Sequence, residues 1–462
     1  MYLGIDIGTG KAAAVLVDGS GEGAAAECLP HGADRPAPPG RSEQDPEVLL
    51  ESAWACVRRL PAGGRARVRG IGVTGQMHGV ALLDAEGRFV SPLFDWRDGR
   101  CLEADFLERL RRATGRRLRT GCGCATLAWL SAAGLLPGAS ASASAIQDCA
   151  VSRLCGSARP VTDPTDAASF GLFDAIRGSW EEEAVRAAGI PRRLLPEVVP
   201  GGSRAGFLSG RMAEALGLPE GVPVAAALGD NQASLMATLR EPERELALTL
   251  GTGGQLSAVM PASDRLRAPG DGDPFELRPY PGGLVVAVAA ALCGGSAWKW
   301  LADSAASWSR ALGLPELPPD AVFAALNRLG LEAGPGPEVR PHFLGERHDP
   351  GLRGSIHGID LGNFTLGGLA RGLAEGICST LRDMLPPQAR EGRVRVRASG
   401  NALRRNPLLL SSAERAFGVP VILGEAREEA AVGAALMALR AGARLWLRIK
   451  RLAPGARPGQ HL

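Results

Sequence analysis

Two nearly identical tetrapeptides, Ile7-Gly8-Thr9-Gly10 and Leu250-Gly251-Thr252-Gly253, stand 243 positions apart in a chain of 462 residues. Each lies between two short apolar runs, 2–8 and 12–17 in the first case, 246–250 and 255–259 in the second. Strand, tight glycine turn, strand is the economical reading of both. A chain of this length exceeds what a single core supports. Two halves opening on the same device therefore predict two similar domains, residues 1–240 and 241–445, followed by a tail over 446–462 with little periodicity. Further strands are expected at 68–73, 80–83, 222–228 and 284–292. Apolar spacing with Gly or Pro stops predicts helices over 46–59, 102–114, 125–134, 180–188 and 296–305. Helices are also expected over 365–381, with Thr365 as N-cap, and over 428–441. The Pro-, Gly- or charge-rich stretches 30–45, 262–283 and 312–320 read as loops. Strands alternating with helices make the expected class α/β.

Charge and cysteine usage narrow the partners. The net charge is only +3 and no block of like charges forms a basic arm, so nucleic acid and membrane surfaces are not expected to bind. Nine scattered cysteines lack a second pair at zinc-site spacing, and are read as reduced packing residues of a cytoplasmic protein. The longest apolar run, 284–293, is about half of what a membrane span needs.

A Gly-Thr-Gly turn offers backbone N–H donors and a hydroxyl, a set that suits phosphate oxygens. Two copies in two halves could close on one polyphosphate from opposite sides of an interdomain cleft. Asp6 precedes only the first copy, at a strand end, where a carboxylate can hold Mg²⁺ together with water and phosphate. Two more glycine clusters, Cys293-Gly294-Gly295-Ser296 and Ala398-Ser399-Gly400-Asn401, each lead into a helical pattern and suit a nucleotide, although each could also be a plain turn. Leu228-Gly229-Asp230-Asn231-Gln232 places an acid at a strand end on the domain boundary, where it could face the cleft or cap the helix 231–238. Gln76, Met77 and His78 in T-G-Q-M-H-G could bind a small polyol. Trp96-Arg97-Asp98-Gly99-Arg100 adds an aromatic face, an acid and two cations suited to a sugar.

Taken in order, G-I-D-I-G-T, T-G-Q-M-H-G, W-R-D-G-R, L-G-D-N-Q-A-S, L-G-T-G-G, L-G-E-R-H, A-S-G-N-A-L and E-E-A-A-V-G-A-A-L resemble the FGGY family of carbohydrate kinases, as far as about residue 442. The resemblance implies two actin-like, ribonuclease-H-like domains with a cleft between them. Within the family, W-R-D-G-R-C at 96–101, T-G-C-G-C-A-T at 120–126 and L-G-E-R-H at 344–348 are most similar to the sedoheptulokinase branch, with xylulokinases next. Implied are ATP and Mg²⁺, a ketose as acceptor, and a monomer or homodimer. Asp230 becomes the catalytic base, Asp6 the metal ligand, and Gln76, Met77, His78, Trp96, Asp98 and Asn231 the sugar pocket. Gly8, Thr9, Gly10, Lys11, Gly251, Thr252 and Gly253 would contact phosphates. Gly295, Lys299, Gly400, Asn401 and Arg404 would line the nucleotide, with Glu346 and Arg347 structural or hinge-associated. Two places depart from the family pattern. Gly10-Lys11-Ala12-Ala13 stands where small hydroxyl residues and then a basic one are usual, and Ala-Ser-Gly-Asn stands where a glycine triplet is common. Another acceptor, a five-carbon ketose or a polyol, is one alternative. A non-catalytic sugar-binding regulator on the same fold is another, against which the retained Asp6 and Asp230 argue.

Overall fold

The computed structural model describes residues 1–262, 269–270, 272–424 and 428–452. They form two compact units. The first comprises Met1–Ala237, Pro279–Gly283 and the closing helix Glu429–Leu452; the second takes the described residues of 238–278 and 284–424.

Each unit is built on the same sheet. In the first, β1 (Tyr2–Ile7), β2 (Lys11–Val17) and β3 (Gly23–Pro30) are successive antiparallel neighbours. Ile71–Gly75 then joins β1 in parallel, and Pro223–Ala225 joins Ile71–Gly75 in parallel. In the second unit Glu245–Leu250, Gly254–Pro261 and Leu284–Ala291 are the antiparallel trio. Arg395–Ser399 lies parallel to the first of them and Val421–Leu423 parallel to that. The repeated tetrapeptides thus occupy the same hairpin of a duplicated five-strand plan. Parallel strands covered on both faces should be apolar throughout. The first sheet conforms: Leu3, Ile5, Ile7, Ala12 and Ala14 pack in one core, while Ala13, Val15 and Val17 pack with Ala431 and Ala435 on the other face.

Local signals set several boundaries. The helix Pro46–Arg59 begins where the Asp45 carboxylate accepts from the amides of Glu47 and Val48 and Pro46 fills the first helical position. Thr365 caps Leu366–Met384, its hydroxyl accepting from the Gly368 amide.

Elsewhere tertiary pairing moved the boundaries. The strand expected at 68–73 lies at Ile71–Gly75, because residues 62–68 are occupied by a short helix and its turns. The run 222–228 splits into Pro223–Ala225 and Leu228–Gly229, both pairing with Ile71–Gly75. The helix expected over 102–114 starts at Phe106 after a kinked 3₁₀ turn with Ala104 and Asp105 at positive φ. The loop expected at 262–283 contains an edge strand, Phe275–Tyr280, beside Leu284–Ala291; residues 263–268 and 271 of it lie outside the described residues.

The closing helix, expected with the second domain, packs on the first unit's sheet. A Cβ on Gly4 would stand 1.9 Å from the Ala431 carbonyl oxygen, and one on Gly72 1.9 Å from that of Ala434. Those two glycines are register partners on neighbouring strands. Only a bare patch of this kind admits a helix backbone so close to a sheet. The helix continues to Leu452, into the stretch read as tail, and the residues after it lie outside the described set. Among the described residues no helix is long and apolar enough to cross a membrane.

Candidate active site

In the first unit the loop Gly8-Thr9-Gly10 is pinned by side chains from three directions. Gln44 Nε2 donates to the Thr9 carbonyl at 2.9 Å, and Gln76 Nε2 donates to Gln44 Oε1 at 2.7 Å. The Gln76 Oε1 accepts from the Thr9 hydroxyl at 3.3 Å, which in turn accepts from Trp96 Nε1 at 2.9 Å. His31 Nε2 donates to the Gly8 carbonyl at 3.2 Å, while its Nδ1 accepts from the Ala33 amide at 3.1 Å, so the ring is the neutral Nε2–H tautomer. Thr9, Gln76 and Trp96 are therefore brought together as expected of one site. Gln44 and His31 are additions that sequence reasoning missed. The indole of Trp96 is half exposed (50%), presenting a flat apolar face beside these polar groups.

Asp6 is the penultimate residue of β1, just before the loop. Its Oδ1 is buried and has no hydrogen-bond partner. Burial, reinforced by the charges of Asp230 and Glu428, pushes its pKa up to about 7. Two carboxylates close enough to perturb one another, one with an orphaned buried oxygen, form a donor set that a divalent cation would stabilise. Among the described residues no group of three or more His, Cys, Asp or Glu side chains is arranged to hold a metal alone. Asp6 with its orphaned oxygen could hold Mg²⁺, which usually takes one or two carboxylates and completes its shell with water and phosphate.

Asp230 opens the helix Asp230–Thr238 directly after the strand Leu228–Gly229. Met77 packs on that turn: a Cβ on Gly229 would lie 2.8 Å from both its Sδ and its Cε. His78 follows at φ 78°, and its Nδ1 faces the Ser169 carbonyl at 2.8 Å, so Nδ1 carries the proton and donates it. Asn231 is the second residue of the helix and half-buried.

Two expected ligand residues are engaged elsewhere. Asp98 has no exposed surface; its carboxylate accepts from the Ser42 amide and from the amide, Nε and Nη2 of Arg100. Lys11 is half exposed and its ammonium sits 2.7 Å from Glu428, a hydrogen bond that raises the lysine's pKa. The segment 120–126 supports the Trp96 loop from below. Thr120 Oγ1 donates to the Asp98 carbonyl at 2.6 Å, and a Cβ on Gly121 would stand 2.1 Å from the Trp96 carbonyl oxygen.

In the second unit the three glycine clusters converge. The amides of Gly294 and Ser296 donate to the Thr252 carbonyl at 3.1 and 3.0 Å, and the Gly295 amide donates to that of Gly251 at 2.8 Å. A Cβ on Gly295 would meet the Gly251 oxygen at 2.5 Å, and one on Gly400, at φ +100°, would meet the Leu250 oxygen at 2.2 Å. The result is a surface of bare backbone around Gly251, Thr252, Gly253, Gly295 and Gly400. The first amides of the helix Gly295–Ala311 serve this stitching. Asn401 begins the short helix after Gly400 and is exposed. Lys299 is paired with Asp303 at 2.6 Å on an exposed helix face. The Arg404 guanidinium donates to the Gly424 carbonyl. Glu346, buried, accepts from the Leu292 amide at 3.1 Å and lies 3.1 Å from His342 Nδ1, which ties its loop to the strand leading into the second cluster.

Comparison with known proteins divides the chain at nearly the same place, with the closing helix counted in the second domain as far as residue 442. The model of the N-terminal domain of the FGGY family of carbohydrate kinases matches residues 1–237, and that of its C-terminal domain matches residues 246–442. A sedoheptulokinase of Mus musculus is 35% identical over 95% of this chain and 97% of its own. A xylulose kinase of Klebsiella pneumoniae is 27% identical over 84% of this chain and 80% of its own. Among solved structures, a xylulose kinase from Rhodospirillum rubrum superposes with a TM-score of 0.78 at 28% identity, covering 96% of this chain and 90% of that one.

Proposed function

The chain belongs to the FGGY family of carbohydrate kinases, and from that premise we propose that it transfers the γ-phosphoryl group of ATP to the terminal hydroxyl of sedoheptulose, with Asp230 as general base. The family makes it a carbohydrate kinase acting on a small sugar with ATP. The acceptor and the residue roles are the reading advanced here. One observation carries the roles: Asp230 stands at a helix start in the electrostatic reach of Asp6, whose buried oxygen lacks a partner. The 35% identity to a sedoheptulokinase over 95% of this chain supports the seven-carbon acceptor. The packing of 120–126 against the Trp96 loop joins two of the three segments most similar to that branch into one structure.

Phosphoryl transfer has a loose transition state, so the protein's work is mostly positioning and charge neutralisation. Asp230 accepts the proton of the attacking hydroxyl, a role typically worth roughly 10² to 10⁴ in rate. Gln76, Met77, His78 and the Trp96 ring orient the sugar, with Asn231 beside the base; Asp98 acts by holding their loop. Asp6 would hold Mg²⁺, which when bound neutralises charge on the phosphate oxygens. Gly8, Thr9 and Gly10 present a rigid backbone to phosphate, and Lys11 reaches it only by leaving Glu428. In the second unit Gly251, Thr252, Gly253, Gly295, Gly400 and Asn401 give the nucleotide a surface without side-chain bulk. Lys299 and Arg404 stand as looser candidates, held to Asp303 and Gly424.

The test is ADP release with sedoheptulose, xylulose, ribulose and glycerol, side by side. Sedoheptulose is expected to give the highest kcat/KM, and Asp230→Ala to abolish turnover with every acceptor. Faster turnover of xylulose would move the assignment to a five-carbon ketose. Undiminished turnover in Asp230→Ala would remove Asp230 as base.

A further inference from the structure

The reading of Asp230 as base leaves unanswered what holds its backbone. The strand before it is two residues long and, among the described residues, pairs with Thr74 and Gly75 alone. So short a ladder fixes a backbone poorly, whereas a general base must meet its hydroxyl within a few tenths of an ångström.

Two buried threonines supply what the strand lacks. The Thr74 hydroxyl donates to the Leu228 carbonyl at 2.7 Å. On the other side the Gly229 amide donates to Thr165 Oγ1 at 2.8 Å, and the Thr165 hydroxyl donates its own proton to Asp163 Oδ1 at 2.6 Å. Asp163 Oδ1 also accepts from the amides of Thr165 and Asp166, at 2.8 and 3.1 Å, as N-cap of the helix Pro164–Phe170. A hydroxyl has one proton. With that proton committed to Asp163, a lone pair of Thr165 is left facing the Gly229 N–H. Met77 closes the third side, since Gly229 has no room even for a Cβ beside its thioether. Thr74, Asp163 and Thr165 are all essentially without exposed surface, so water cannot substitute for any of them. The motif T-D-P-T-D at 162–166 thus reaches the Leu228–Gly229 peptide, one peptide unit before Asp230, whose other end Thr74 holds.

Resting on the assignment of Asp230 made above, we propose that Thr165, oriented by Asp163, is a positioning residue for the catalytic carboxylate. The chain Asp163–Thr165–Gly229 sets where the helix Asp230–Thr238 begins, and so where its first carboxylate stands. Thr165 touches neither sugar nor nucleotide in this scheme. Its loss should therefore act on turnover and not on substrate binding.

The experiment compares the full-length wild type with Thr165→Val, Thr165→Ser, Asp163→Asn and Asp230→Ala, using ATP and whichever of the four acceptors the wild type turns over. Thr165→Val keeps the shape and removes the hydroxyl. It is expected to lower kcat about 10- to 100-fold while both KM values stay within about threefold. Thr165→Ser restores kcat to within about threefold of wild type, which a general loss of packing would not allow. If Thr165→Val does not fold, Asp163→Asn carries the test, with kcat at least about fivefold down and KM unchanged. The proposal is overturned by a kcat within twofold of wild type in the variant that folds, by a loss appearing wholly in KM, or by a serine variant as impaired as the valine one. An active Asp230→Ala overturns the base assignment and this proposal together. An inactive Asp230→Ala beside an unimpaired Thr165→Val overturns the positioning role alone.

Discussion

Replacing Asp98 by alanine separates two roles that the W-R-D-G-R segment allows. A sugar contact would show in the acceptor KM; a clamp would show in stability. The structure favours the clamp, because both carboxylate oxygens are occupied within the protein and the partner Arg100 is itself 3% exposed. Breaking a buried ion pair by removing one member typically costs about 3–5 kcal/mol. Arg100 would keep Glu43 at 2.8 Å, together with its position over the Phe94 ring at 4.1 Å, which argues for the lower end. The Ser42 and Arg100 amides would lose their acceptor, however, and unmade buried hydrogen bonds cost about 1–3 kcal/mol each. The expectation is about 3 kcal/mol or more. At about 2–4 °C per kcal/mol for a domain of this size, thermal unfolding of the first unit should fall by roughly 6–12 °C. Scanning calorimetry of wild type and variant, with acceptor KM measured well below the variant's transition, provides the assay. An unchanged transition with a tenfold rise in KM would refute the reasoning and return Asp98 to the sugar.

Two further outcomes follow from the first unit. Asp163, its pKa pushed to about 6 by burial, and Asp148 and Asp166, raised well above the ordinary carboxylate range by the same cause, are protonated more readily when folded than the roughly 3.9 of an unfolded chain. The contribution of Asp163 is thus fully present below about pH 4 and is lost as pH rises through about 6; that of Asp148 and Asp166 is likewise present at low pH and lost as pH rises through their raised folded values. Asp166→Asn should flatten the fall in Tm between pH 4 and 7, and parallel profiles for variant and wild type would contradict it. Gly72→Ala drives a Cβ against the Ala434 carbonyl, where no rotamer offers escape, so about 3 kcal/mol of destabilisation is expected. Gly63→Ala, with nothing within 4 Å, should be nearly neutral; equal Tm values for the two variants would show the helix able to yield.

What the sequence disclosed was mostly local. Pro46–Arg59 could be bounded in advance because its cap, its Pro and its terminal arginines are neighbours in the chain. The duplicated hairpins were legible for the same reason, since turn and flanking strands lie within about fifteen residues. Partnerships made by folding were not. Gln44 and His31 reach the first loop from outside its hairpin, Gln44 on a two-residue strand that pairs with Leu93–Phe94 and bridges to Asp34. Lys11 was read as free for phosphate, and its partner Glu428 is 417 positions away. Lys299 was the opposite case: Asp303 stands four residues on in a helix, a pairing the spacing already offered. With Asp98, the chemistry of W-R-D-G-R was visible but its burial was not, and burial is what turns a candidate sugar ligand into a strut.

The closing helix also bears on how the polypeptide matures at the ribosome. The glycine patch at Gly4 and Gly72 emerges early, while the helix that covers it begins at Glu429. Counted from Ala237, 191 residues must be made before Glu429, roughly 10–40 s at about 5–20 residues per second. Throughout that interval the nascent first sheet has one naked face. A fragment ending at Ala237 would keep that face permanently, so the two halves of this duplicated protein cannot be parted at their apparent seam without leaving one unfinished.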